Sequence, residues 1–373
     1  MKTLLIKNGK IIIDTLNEVV FDGDLLIEKG RIKRIDKNIN DNVDQIIDAK
    51  GNYVCPGFID IHTHCYPVGV YGLTPDVLGV ERYSSTIVDA GTSGSLTFED
   101  FKNNYIDKAK TKVFALINLS KEGLKYGHEL DDLDKLDPNG VIELVKKYPG
   151  IIVGLKARAS KSVVGDLDIL PIKNSVDLAH QLKVPLMVHI GNYPPTLSDV
   201  LNLLEKGDLI THSFHGKANG LIQNGNIIKE AILARNRGVY FDIGHGQDSF
   251  SFNTYLNAKD LGFYTDSIST DLHKSSINGP VYSLIECVNK IINMNESLFK
   301  AIDKVTRVPA HIFKLKDLGE LKIGYIGDIF IFSYDDTNQE VIDSNKDTLI
   351  LHSRINPIKL IISNNEDSEI IEN

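Results

Sequence analysis

Cysteine is scarce: Cys55, Cys65 and Cys287 are widely and irregularly spaced and include no CxxC pair. An odd, scattered set excludes a disulfide framework and points to a reducing interior. Long apolar runs are missing too. No window reaches the roughly 18 apolar residues of a membrane span. The opening MKTLLIKNGKIII is broken by Lys7, Asn8 and Lys10, so it lacks a signal-peptide core. There is no basic cluster, and a formal net charge of −9 argues against a polyanionic partner. Nucleic acid and membrane drop out as partners, leaving a small-molecule substrate and a cytoplasmic location as the expectation. Oligomeric state stays open, with a homo-oligomer compatible with all these features.

At 373 residues, with 42% hydrophobic residues and 29 glycines, the chain can build one large barrel with an appendage. Residues 1–54 read as short strands joined by Asn8-Gly9, Asp22-Gly23 and Lys29-Gly30 turns. The same texture returns in LKIGYIGDIFIFS and TLILHS. Residues 1–54 and 318–365 are therefore expected to form one small β-sandwich, with 366–373 a disordered acidic tail. Residues 55–317 alternate apolar runs with amphipathic stretches such as SVDLAHQLK and TLSDVLNLLEKG. The runs FIDIHTH, STIVDAGT, KVFALINLS, IIVGLKARAS, VPLMVHIG, DLITHSF, GVYFDIGHG and DSISTDLH make eight candidate strands. Such alternation implies parallel βα units and an α/β fold of the (β/α)8 TIM-barrel type. An open doubly wound sheet is disfavoured because no glycine-rich phosphate loop follows the first strand.

The segment PGFIDIHTH ends an apolar strand in two histidines one residue apart. Alternate strand residues share a face, so His62 and His64 line up, and paired imidazoles suit a divalent metal. Barrels of this type carry their chemistry at the C-terminal strand ends. The first candidate strand ends in His62 and His64, the fourth in Lys156, the fifth in His189, the sixth in His212 and the eighth in Asp271. Neutral imidazoles mixed with a hard oxygen donor make a catalytic metal site. No GxSxG occurs, and nothing marks Cys65 as a nucleophile. His215, in THSFHG, is a rival to His212. Asp60 and His273 are candidates for orienting the ligands. His128, in KEGLKYGHELDD, reads as solvated.

The order HxH, Lys, His, His, Asp on strands one, four, five, six and eight resembles that of the amidohydrolase superfamily over nearly the whole chain. IGYIGDIFIF resembles its glycine-then-aspartate strand near the C-terminus, and RVPAHIFKL its Pro-Ala helix after the last barrel strand. GLKARAS, DIGHGQDSFSF and STDLH look most like a small branch of dihydroorotase-like deacetylases acting on acetyl esters or N-acyl groups. The resemblance implies two divalent metal ions, with zinc the expected element. It implies that His62, His64 and Asp271 hold one ion and that His189 and His212 hold the other. A carbamate formed from carbon dioxide on Lys156 would bridge them. A bridging water would then ionise near neutrality, with Asp271 accepting its proton and handing it to the departing group.

Dihydroorotases usually carry an arginine two residues after HxH; here that position is Tyr66. The expected reaction is therefore hydrolysis of an acetyl ester or N-acyl amide of a small, carboxylate-bearing metabolite. The alternative is a cyclic-amide hydrolase of the dihydroorotase or hydantoinase kind. Arg158, two residues beyond Lys156, is expected in the same mouth, to clamp a carboxylate or stabilise an oxyanion. Tyr66 and His245, which closes the seventh strand in DIGHG, are the further candidate substrate contacts.

Overall fold

A turn built from residues at positive φ, Lys29 (50°) and Gly30 (71°), folds the N-terminal segment back on itself. It joins β2 (Val19–Glu28) to β3 (Arg31–Asp36), while β1 (Thr3–Asp14) pairs antiparallel with β2. The computed structural model describes residues 2–371. Asn8-Gly9 and Asp22-Gly23, read from the sequence as turns, instead lie inside β1 and β2. Gly9 faces Gly23 there beside a register shift. A Cβ at Gly9 would stand 2.6 Å from Val54, so the glycine serves a close strand approach and not a chain reversal. β4 (Gln45–Asp48) and β5 (Tyr53–Pro56) run parallel to β1.

The barrel follows. β6 (Phe58–Thr63), β7 (Ser84–Ala90), β8 (Lys112–Asn118), β9 (Ile152–Ala159), β10 (Leu186–Ile190) and β11 (Leu209–Thr211) pair in parallel sequence. A small hairpin, β12 (Ile222–Gln223) and β13 (Asn226–Ile227), precedes β14 (Tyr240–Phe241), which pairs with β11. Residues 267–272 supply the eighth segment. They bridge Asp242 to Ser267 on one side and Thr63 to Leu272 on the other, which closes the ring. Helices Leu197–Leu203, Phe252–Asp260 and Leu284–Asn293 begin at Thr196, Ser251 and Ser283. Each of these side chains accepts a backbone N–H three residues on. Among the described residues no helix is long and apolar enough to cross a membrane.

The C-terminal strands β15 (Ile329–Ile342), β16 (Thr348–Ser363) and β17 (Ser368–Ile371) return to the first sheet, in the order β17-β16-β15-β5-β1-β2-β3 with β4 on β1. This sheet has its own core of Leu4, Ile6, Ile27, Val54, Ile329 and Ile361. Three details differ from the sequence reading. β5 belongs to the terminal sheet through Pro56, two residues past the expected boundary. The acidic tail forms a strand rather than a coil: β17 pairs with β16, with Ser368 and Ile371 buried. The β15–β16 hairpin also leaves the sandwich and reaches the barrel: Asp343 accepts the Phe252 N–H at 2.8 Å, and Ser344 N donates to the Phe250 carbonyl.

Candidate active site

Strand register sets the site. Lys156 lies between Asn118 of β8 and Met187 of β10, and His189 lies between Arg158 of β9 and Thr211 of β11. His62 is the penultimate residue of β6, and Asp271 sits beside it because its N–H donates to the His62 carbonyl at 2.7 Å. Asp271 Oδ1 is 3.0 Å from His64 Nε2 and 3.3 Å from His62 Nε2, and its Oδ2 is 3.9 Å from His212 Nε2. The His189 ring stands edge-on to His212, with centroids 4.2 Å apart. Lys156 Nζ is 2.9 Å from His62 Nε2 and 3.3 Å from Met187 Sδ. Six residues named from the sequence thus meet in one buried cluster. His62, His64 and Asp271 offer ligand atoms all within 4.8 Å of one another.

The imidazoles are held from behind. Thr211 gives its one hydroxyl proton to Asp242, so it accepts from His62 Nδ1 and leaves Nε2 as the lone-pair atom. Asp242 also accepts from Ser267 and Ser269. His64 Nδ1 contacts Thr92 Oγ1 at 2.9 Å, and His212 Nδ1 donates to the Gly244 carbonyl. His212 Nε2 is then a buried lone pair with no hydrogen-bond partner among the described residues. Leaving such an atom unsatisfied costs about 1–3 kcal/mol. An orphaned acceptor aimed at a carboxylate and two further imidazoles fits a divalent cation.

Burial decides the protonation states. It pulls His62 and His189 well below the ordinary histidine range and His212 down to about 3, keeping them neutral. It pulls Lys156 down to about 7, so the amine is substantially unprotonated near neutrality. Backbone strain gathers here as well. His212 (φ 64°) and Asp271 (φ 53°) are left-handed non-glycine residues, at about 1–3 kcal/mol each. The flanking glycines of DIGHG make room for them. A Cβ at Gly244 would stand 2.2 Å from Thr211 Oγ1, and one at Gly246 would stand 2.7 Å from Asp271 Oδ2.

The other named residues are placed differently. Arg158 donates Nε and Nη2 to Glu129, at 2.7 and 2.6 Å, and lies over the Tyr71 ring, which itself adjoins His64. Its bidentate edge is therefore committed within the protein, and Nη1 is the remaining nitrogen. Tyr66 turns away from the cluster: its hydroxyl donates to Asp100 and its ring packs on Phe101. The hydroxyl read from the sequence as a candidate substrate contact is thus engaged within the protein. His245 is engaged likewise, because Lys290 donates to its Nε2 and its Nδ1 faces the Gly246 carbonyl. His215 Nδ1 accepts the Lys217 N–H, whereas its rival His212 has Nε2 3.9 Å from Asp271 Oδ2. Asp60 accepts from Thr270 and from His62 N, His273 Nδ1 meets the Asp271 carbonyl, and His128 is exposed. Sequence reasoning missed Glu129, Thr211, Asp242 and Lys290. Only Asp242, an acid inside the apolar run VYFDIG, carries a local signal.

This barrel, with imidazoles and a carboxylate gathered at its strand ends, defines a hydrolytic enzyme. Residues 53–363 match the amidohydrolase family, and the chain belongs to that family. It is 39% identical over 365 residues to a deacetylase of Enterococcus faecalis, covering 96% of this chain and 97% of that one. A solved structure described as an adenine deaminase is 37% identical, with a TM-score of 0.92 and 99% of both chains covered. A solved dihydroorotase is 30% identical, with a TM-score of 0.91 over 99% of this chain and 97% of that one.

Proposed function

We propose that the protein is a metal-dependent hydrolase that removes an acetyl group from an ester or N-acyl amide of a small, carboxylate-bearing metabolite. The observation that carries this reading is the convergence of the Nε2 atoms of His62, His64 and His212 on Asp271. Similarity along nearly the whole chain to a deacetylase supports it. His62, His64 and Asp271 would hold one divalent ion and His189 and His212 a second, with zinc favoured by an imidazole-rich donor set. Bound divalent ions acidify a coordinated water and polarise an acyl carbonyl.

The chain's own groups do the rest. Lys156, unprotonated near neutrality, is the group that would take up carbon dioxide with loss of one proton, and the carbamate would supply oxygen donors to the ions. Asp271 accepts the proton of the attacking water and returns it to the leaving oxygen or nitrogen as the acyl bond breaks. Arg158, charge-balanced by Glu129, offers Nη1 to a substrate carboxylate or to the oxyanion. The three cysteines are buried free thiols, which supports a reducing, cytoplasmic setting.

The test is acetate release by protein stripped of metal and then reloaded with zinc and bicarbonate. Acetyl esters and N-acetyl amides of small hydroxy and amino acids serve as substrates, with dihydroorotate and adenine alongside. Acetate release that vanishes on stripping and returns on reloading is expected. Turnover confined to dihydroorotate or adenine, or no acetate release at all, overturns the reading.

A further inference from the structure

Lys290 is a charged residue buried in the middle of the helix Leu284–Asn293, only 1% exposed, and the hydrolytic reading gives it no role. Its Nζ donates to His245 Nε2 at 2.8 Å and to the Pro280 carbonyl at 2.7 Å. Those two bonds take two of the ammonium's three donors. Burying a charged lysine is costly unless it is paired and hydrogen-bonded, and here its bonds go to one imidazole and one carbonyl. Among the described residues no hydrogen bond joins the His245 ring to the His62–Asp271 cluster, but its backbone does lead there. His245 N donates to the Ser269 carbonyl and Gly246 N to the Thr270 carbonyl, which ties the turn to the segment carrying Asp271. Gly246 stands so close to Asp271 Oδ2 that a Cβ would come within 2.7 Å. From the opposite side, Ser344 Oγ of the β15–β16 hairpin donates to the Gly246 and His245 carbonyls, at 3.0 and 3.3 Å.

We propose that Lys290 is a positioning residue: by holding His245 it sets the Gly244–Gly246 turn, and that turn sets the carboxylate of Asp271. The inference rests on the proposed role of Asp271 in hydrolysis. A purely packing role makes a different forecast, because replacing a buried amine by an apolar chain of similar volume is then neutral or stabilising.

The experiment uses the full chain and the variants K290M and K290R. Hydrogen–deuterium exchange on metal-free protein reads the turn without any substrate. In K290M the peptides spanning residues 243–252 should exchange about tenfold faster or more, with the rest of the chain unchanged. In metal-saturated protein kcat should fall roughly 10–100-fold while KM stays within about twofold, as for a displaced catalytic group. K290R, which keeps a charged donor, should retain slow exchange and most of kcat. Wild-type exchange in K290M, or an unchanged kcat, overturns the proposal. So does a K290R variant that exchanges fast and loses kcat relative to wild type, and this measurement decides the matter if K290M does not fold. A wild type that releases no acetate refutes the hydrolytic reading instead, and the exchange result still judges the positioning of the turn.

Discussion

Arg158 gives its Nε and Nη2 to the two carboxylate oxygens of Glu129, at 2.7 and 2.6 Å, and both side chains are nearly inaccessible to solvent. Glu129 comes from the long segment after β8, so this pair ties a mouth loop to the strand that carries Lys156. Breaking a buried pair strands the surviving charge, at about 3–5 kcal/mol. E129L and R158M should each destabilise the metal-free protein by about that much in denaturant titrations. The E129L/R158M double variant should lose much less than the sum, because no charge is left unpaired. Additive losses would mean that the two residues act independently.

Lys156 gives a pH prediction of definite sign. Burial holds its folded pKa at about 7, against an ordinary 10.5. Between those values the unfolded chain binds a proton that the folded chain does not. The penalty is complete below about pH 7 and fades as pH rises toward 10.5. Metal-free K156M, which lacks the group, should therefore be more stable than metal-free wild type at pH 7, by roughly 3–5 kcal/mol. The gap should close as pH rises, and a gap independent of pH between 7 and 10 would refute this account. The same ionisation governs assembly. Reconstitution from metal-free protein with zinc and bicarbonate should speed up from pH 6 to pH 8, as the amine loses its proton. Short-chain carboxylic acids should partly restore acetate release to K156A.

Thr211 joins His62 Nδ1 to Asp242, at 2.9 and 2.8 Å. T211V keeps the shape and removes the acceptor that fixes the His62 tautomer. Asp242 retains Ser267 and Ser269. Loss of a partner behind a metal-binding histidine typically costs 10–100-fold in metal affinity. Chelator competition should show a loss of about that size for T211V with the fold intact, whereas H62A/H64A should bind no metal at that position. Unchanged affinity in T211V would remove Thr211 from the site.

The eight barrel segments were legible as short apolar runs, and five of them end in a residue that can bind a metal. His62, Lys156, His189, His212 and Asp271 could each be read from a single strand. What stayed hidden depends on partners far away in sequence. Glu129 lies 29 residues from Arg158, and Lys290 lies 45 from His245. No periodicity links such pairs, so Arg158 and His245 looked available to a substrate and Lys290 went unread. Tyr66 misled for a related reason. It occupies a telling position in the motif, yet its hydroxyl finds Asp100 on a helix outside the barrel. The acidic composition of the last residues hid β17, whose pairing is set by the exposed edge of β16.

Gly246 offers a final, discriminating substitution. Its φ of +57° makes any side chain strained, and its Cβ would press on Asp271 Oδ2 at 2.7 Å. Gly207 is the control: its φ is +97°, also in the left-handed range, but nothing lies within 4 Å of a Cβ there. Alanine at either position should cost about 1–2 kcal/mol for the backbone conformation alone. Only G246A carries the further clash, which must push the turn or the carboxylate aside. G207A should lose stability and keep full activity. G246A should lose stability and, at saturating metal, about 10² or more in kcat, since a misplacement of about 1 Å is enough for that. The two variants should therefore separate on a plot of kcat against melting temperature. If G246A falls on the same line as G207A, with stability lost and kcat intact, the close approach of Gly246 to Asp271 has no part in the chemistry.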